Sequence, residues 1–393
     1  MLTIKENDSK CFLVALALYL PSTVLLPAYT YYLYAPIFLI IILITKNKIN
    51  NGIFITGVLF LVSLFISLTS FVILGEELNY YGNFIPVQAS LLVSLICSIF
   101  INEKVAKFLI YMLVFEFFAA VLQYGLGVNT FFPSSFISST SVFNESSDLL
   151  YFKRVFGFNN NSSGLAGNAL ICFTLMLTYF SHSDLKTKVA INILVFTVLI
   201  MTFSRSALVA FISYYLVLSF LIFFSKRVVY LVFVIIIILL FLYFVDIDYF
   251  ISQFTRNKGS VELTGRPLIW EVYWQSIVSA PLFGNFGFRN YLNIPVYGYY
   301  AHAHNSFIML LYITGIVPML LILIPLVIQV FKSPKRILCV VSIVVYSFAQ
   351  YFLFWGASLV DIVFFAALFS SFGGKISLAH SHYEHVGKCD VIK

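Results

Sequence analysis

GIFITGVLFLVSLFISLTSFVIL, residues 52–74, is a run of 23 residues without a charged side chain. A bilayer core of about 30 Å is crossed by roughly 20 apolar helical residues, and a helix satisfies its own backbone hydrogen bonds where no water can. The run therefore reads as a transmembrane helix. Similar runs recur along the whole chain, near residues 11–27, 30–45, 84–101, 108–127, 164–181, 189–203, 207–225, 228–245, 305–331, 337–355 and 361–374. With 61% hydrophobic and only 10% charged residues, against about a quarter charged in an ordinary soluble domain, no separate water-soluble domain fits among the 393 residues. The fold expected is an all-α integral membrane protein of about twelve transmembrane helices, a single polytopic domain over 1–393. Its first run, following Lys5 and Lys10, is expected to be helix one, because no small-residue cleavage site follows.

Charge orients this array. With both termini in the cytoplasm, the connections 46–51, 102–107, 182–188, 226–227 and 332–336 and a tail over 375–393 lie inside, and 16 of the 23 Lys and Arg fall there, as the positive-inside rule requires. The net charge of +7 then reflects lysine-rich connections beside anionic lipid; no nucleic-acid partner is implied. Arginine departs from the pattern. Fourteen of 16 lysines are on the inner side, whereas Arg154, Arg205, Arg256, Arg266 and Arg289, five of seven arginines, are on the outer one. Planar, bidentate recognition of phosphate or carboxylate is the task at which Arg surpasses Lys. The plainer alternative is pairing with the outer acids Asp246, Asp248, Glu262 and Glu271.

Two outer loops carry the polar chemistry. The first, 128–163, ends in KRVFGFNNNSSG, where Asn160, Asn161 and Arg154 can face a sugar; the bland reading is a helix start capped by Ser162 or Ser163. The second, 246–303, is the longest polar connection. Its RPLIWEVYWQSIVSAP has Pro267 at a first helical position and Trp270, Tyr273 and Trp274 in an apolar series, an interfacial helix with tryptophans at headgroup depth. Arg266 at the start of that helix meets the positive end of the macrodipole, a conflict a bound anion resolves; a solvated Arg or one paired to Glu262 is the alternative. The loop ends in YYAHAHNSF, with His302 and His304 leading into the next helix. Histidine is the commonest general base near neutral pH; the alternative is a cap or interfacial anchor. Arg205 lies in a hairpin too short to leave the membrane surface and either snorkels or joins the same pocket, with Glu116, an intramembrane carboxylate, as its buried partner. Asp361 reads as marking the outer end of helix twelve.

No metal site is expected. The five cysteines are scattered and read as small buried hydrophobes, a histidine pair alone is too few ligands for zinc, and His380, His382, His385 and Cys389 read as a flexible cytoplasmic tail.

The segments RVFGFNNNSSGLAG (154–167), SRSALVAF (204–211), GRPLIWEVYWQSI with PLFGNFGFRNY (265–291) and AHAHNSFIMLLYITGIVP (301–318), in that order, resemble the O-antigen polymerases (Wzy type) and O-antigen ligases of bacteria. The resemblance covers most of the chain from residue 150; the first half matches in hydropathy only. It implies a glycosyltransferase of the inner membrane with a periplasmic active site and no cofactor. Undecaprenyl-diphosphate-linked glycans would be donor and acceptor, membrane lipid the surroundings, and a chain-length regulator protein a further partner. Arg205, Arg266 and His304 would be catalytic, the arginines holding the diphosphate and His304 assisting transfer. Arg154, Asn160, Asn161, His302, Arg289, Trp270 and Glu116 would bind substrate. Polymerase, ligase and, from a different class, a lipid-linked oligosaccharide flippase remain the alternatives, the first preferred.

Overall fold

The structure is a computed structural model that describes residues 8–45, 50–74, 85–133, 135, 150–180, 184–224, 266–295 and 298–370. The expected helix at 228–245, the outer acids Asp246, Asp248 and Glu262, Arg256 and the histidine-bearing tail lie outside the described residues. The described helices are α1 (Asp8–Tyr19), α2 (Thr30–Thr45), α3 (Asn51–Leu74), α4 (Val87–Ser98), α5 (Glu103–Gly125), α6 (Ser162–Tyr179), α7 (Leu185–Thr202), α8 (Arg205–Phe224), α9 (Arg266–Ser279), α10 (Ser306–Thr314), α11 (Ile316–Phe331), α12 (Pro334–Ala349) and α13 (Leu359–Phe369). Among the described residues α3, α5, α6 and α7 are long and apolar enough to cross a membrane, and several shorter apolar helices pack with them. The one sheet among these residues is the antiparallel pair β1 (Leu292–Ile294) and β2 (Tyr299–Ala301), with Asn293 opposite Tyr300.

α3 shows why the bundle is a membrane protein. Its inward face carries Gly52, Thr56, Phe60, Ser63 and Ser67, whereas Phe65, Val72 and Ile73 stand outward, the last 79% exposed. Small and hydroxylated residues inside with large apolar ones outside is the arrangement that lipid, not water, favours. The Ser63 hydroxyl donates to the Pro318 carbonyl of α11 at 3.2 Å, and Gln88 of α4 donates to Ser67 at 2.8 Å. α6 forms the centre, packed by α5, α7, α12 and α13.

Two expected boundaries move. The run at 305–331 is two helices, broken at Gly315, whose φ of +72° a side chain rarely adopts. A Cβ there would stand 2.4 Å from the Leu282 carbonyl oxygen, and one on Gly284 (φ +53°) 2.4 Å from that of Tyr312. Two glycines thus let the 281–287 loop cross the helix break backbone to backbone, with Ile316 N–H donating to Pro281 at 2.9 Å. The run at 337–355 stops at Ala349, and residues 350–358 form an aromatic-rich loop before α13. The cap of α6 is Asn161, not Ser162 or Ser163; its side chain accepts from Gly164 N–H at 2.8 Å. The four described cysteines are buried and form no disulfide with one another.

The connections after α1, α5, α7, α9 and α12 gather at one end. Val24 N–H donates to the Phe158 carbonyl (2.9 Å), Val155 N–H to Met201 (3.2 Å) and Phe156 N–H to Asn129 (2.9 Å). Tyr346 donates to the Ser163 carbonyl across 3.1 Å.

Candidate functional site

The histidine segment is held from behind by α9. Trp270 Nε1 donates to the Ala303 carbonyl at 2.6 Å and the Tyr273 hydroxyl to that of Ala301 at 2.8 Å, so the helix expected to float at the interface clamps residues 301–303. Trp274, 58% exposed, keeps the interfacial position. His304 turns in the left-handed region, φ +51°, and folds its ring against His302 with centroids 4.0 Å apart. Asn305 then caps α10, accepting from the N–H groups of Phe307 and Ile308 at 2.9 and 3.0 Å.

Protonation follows from these contacts. The His304 backbone N–H donates to His302 Nδ1 at 3.1 Å, and burial, His304 and the Arg266 charge hold the His302 pKa down at about 3. A neutral imidazole that accepts at Nδ1 carries its proton on Nε2, so His302 is a hydrogen-bond donor toward the cavity. The His304 pKa is lowered by burial, an effect that Gln350 opposes and Arg266 reinforces. Its Nδ1 lies 3.4 Å from Gln350 Oε1, which can only accept; the proton sits on Nδ1 and Nε2 keeps a free lone pair.

Arg205 is the first residue of α8, after a hairpin in which Phe203 adopts φ +50°, and Arg266 is the first described residue of α9. They are close enough to repel: burial and then Arg205 pull the Arg266 pKa below its ordinary value, and Arg266 acts in turn on both histidines. Tyr346 lies beside Ser204 and Arg266. Among the described residues no carboxylate stands against Arg266. Two guanidinium groups at two helix starts, next to a neutral histidine pair, form a locus of positive charge suited to an anion.

A cavity of about 530 Å³ adjoins it, lined by His302, Tyr346 and Gln350 at the near side, by Asn159, Asn160 and Asn161 on one wall and by Tyr291, Tyr351 and Trp355 among others elsewhere. The amide wall is braced by α5. Glu116, fully buried, accepts from Tyr19 (2.9 Å), Asn159 (2.6 Å), Asn168 (2.9 Å) and Phe158 N–H (3.0 Å). Gln123 both donates to and accepts from the Gly157 backbone at 2.9 Å. Gly157 has φ +59° and leaves room for the Glu116 carboxylate, which a Cβ would approach to 2.9 Å. The pairing of Glu116 with Arg205 expected from sequence is not made; Glu116 stands behind the wall and positions it.

Of the remaining sequence-derived residues, Asn160 and Asn161 line the cavity. Trp270 acts on the histidine segment from outside it. The Arg154 carbonyl accepts from Asn129 at 2.6 Å, and that residue too stands apart from the lining. Arg289 is 5% exposed and packs its guanidinium against Gly356, lending positive charge behind Tyr291 and Tyr351.

Sequence reasoning missed the 350–358 loop because its aromatic residues read as the end of a span. One signal was available: Ser358 and Asp361 form an S-x-x-D capping box, Ser358 Oγ donating to the carboxylate at 2.7 Å and accepting from Asp361 N–H at 3.3 Å. Tyr346 and Gln350 had none.

Residues 190–323, about a third of the chain, match the family described as O-Antigen ligase. The match supports assignment to the O-antigen ligase and polymerase superfamily. Its members are glycosyltransferase-like membrane enzymes. Arg205, Arg266, Trp270, Arg289, His302 and His304 fall inside the matched segment, whereas the amide wall and the 350–358 loop fall outside it. None of the curated proteins matches the chain.

Proposed function

We propose that this protein is an O-antigen polymerase, transferring a glycan from undecaprenyl diphosphate to a sugar hydroxyl of a lipid-linked repeat unit. The observation that carries the reading is the convergence of Arg205, Arg266 and the two oppositely protonated histidines beside a cavity with an amide and aromatic lining. The arginines hold the diphosphate and stabilise the charge that grows on it as it leaves. His304 Nε2 takes the proton of the acceptor hydroxyl while its oxygen bonds to the anomeric carbon. The bond from that carbon to the phosphate oxygen breaks, its electron pair departs with the diphosphate, and His302 Nε2–H is placed to donate to an oxygen of the reacting sugars.

The charge asymmetry of the sequence supports twelve spans in the inner membrane, with both termini cytoplasmic and this site at the periplasmic face. Among the described residues no Lys, Arg, Asp or Glu lines the cavity, which suits an uncharged repeat unit as acceptor. Transfer to lipid A core is the second reading, favoured by the description of the matched family. Deleting the gene tests both. Lipid A core bearing a single repeat unit is the expected result; full-length glycan left on undecaprenyl diphosphate would establish the ligase instead, and units trapped on the cytoplasmic face a flippase.

A further inference from the structure

The cavity beyond the arginines has a chemistry of its own. Its volume, about 530 Å³, lies in the ~300–1,000 Å³ range of small-ligand sites. Among the described residues its lining holds neither the cations an anion needs nor the carboxylates a cation needs, and the row Asn159 to Asn161 gives one wall amides that a prenyl chain could not satisfy. Amides facing aromatic rings match a molecule with hydroxyls on its edge and C–H bonds on its face.

Trp355 is the best-placed ring. It meets His302 edge to face, with centroids 5.7 Å apart at 89°, and stands 4.6 Å from Tyr351. The loop that carries it is tied down on several sides. Phe352 N–H donates to Ser306 Oγ (2.9 Å), Phe354 N–H to Asp361 (2.8 Å), and Ser94 of α4 to the Gly356 carbonyl (3.4 Å). This much anchoring fixes the backbone that carries Trp355 before any ligand arrives. Asn160, exposed opposite, has its Oδ1 held by Asn161 Nδ2 at 3.0 Å.

We infer that the cavity is a saccharide subsite in which a neutral sugar ring stacks on Trp355 while Asn160 and Gln350 bind its hydroxyls. The inference rests on the proposed transferase reading for the role of that sugar, yet the binding itself does not require turnover. Preorganised stacking and hydrogen bonding make the subsite selective for the ring presented to His304.

The full-length protein in nanodiscs is titrated with the lipid-free repeat unit released by mild acid from the host's surface polysaccharide, and separately with farnesyl diphosphate, which bears no sugar. Trp355→Leu should weaken the repeat unit on the order of tenfold, Trp355→Phe much less, and Asn160→Leu, at an exposed position, severalfold. Farnesyl diphosphate should bind all three variants as it binds the unaltered protein, which also reports that they are folded. Repeat-unit binding that is absent, or unaffected by both Trp355→Leu and Asn160→Leu, overturns the subsite whatever the reaction proves to be. Binding that depends on Trp355 in a protein with no transferase activity would retain the subsite and overturn only the transferase reading.

Discussion

The backbone N–H of His304 donates to the Nδ1 atom of His302 across 3.1 Å, so one residue of the pair dictates which nitrogen of the other is protonated. Two histidines separated by a single alanine thereby take different roles, His302 as donor and His304 as base. Replacing His304 with Ala or Gln should lower turnover by about 10²–10⁴-fold, the usual contribution of a general base. His302→Gln, which keeps an N–H donor near the position of Nε2, should lose much less. Turnover with lipid-linked repeat units checks this; equal losses in the two Gln variants would contradict the division of roles.

Arg266→Ala should shorten or abolish the polymer with membrane insertion unchanged. Arg266→Lys should restore little, because the lysine ammonium cannot offer the two parallel N–H donors of a guanidinium. A normal glycan ladder in cells carrying only the alanine variant would remove Arg266 from the site.

Acid should act through both histidines. Their pKa values in the folded protein are depressed, that of His302 to about 3, so the folded state holds them neutral below pH 6.5 while the unfolded chain takes up protons there. Stability is therefore full above pH 6.5 and falls as pH drops toward 3, by up to about 1.4 kcal/mol per pH unit for each histidine that stays neutral. Activity should persist below pH 6.5, until His304 is protonated. Thermal unfolding in detergent and the acid limb of kcat measure the two effects.

Glu116→Ala should leave four donors, the buried ones of Tyr19, Asn159 and Asn168 and the half-buried Phe158 backbone, without their acceptor, at about 1–3 kcal/mol for each that water cannot reach. Glu116→Gln keeps one accepting oxygen and should lose less. A lowered Tm for both, in that order, is the expected outcome.

Trp270→Phe should keep the packing of α9 and lose the bond to Ala303. The effect predicted is a lower kcat with a Tm within a few degrees of the parent, because the histidine segment loosens while the core stays filled. An unchanged kcat would show that Tyr273 alone holds the segment.

The sequence by itself determined that the chain is a helical membrane protein, since apolar runs of bilayer length leave no other solution; an arginine distribution that topology disfavours drew attention to Arg205 and Arg266 among five outer arginines, and the resemblance singled out His304. Pattern could not reach further. Burial, not spacing, turned Trp270 from a headgroup anchor into a clamp, and Glu116, taken for a partner of Arg205, into the brace of the amide wall. The break at Gly315 and the loop at 350–358 were invisible because apolar composition is the same in a continuous span and an interrupted one; where the run breaks is set by backbone contacts with residues 281–287 and by the carboxylate of Asp361. That loops separated by up to some 300 residues meet at one end is a property of helix packing, which no local stretch encodes, and it alone brings Asn160, His302 and Trp355 around one cavity.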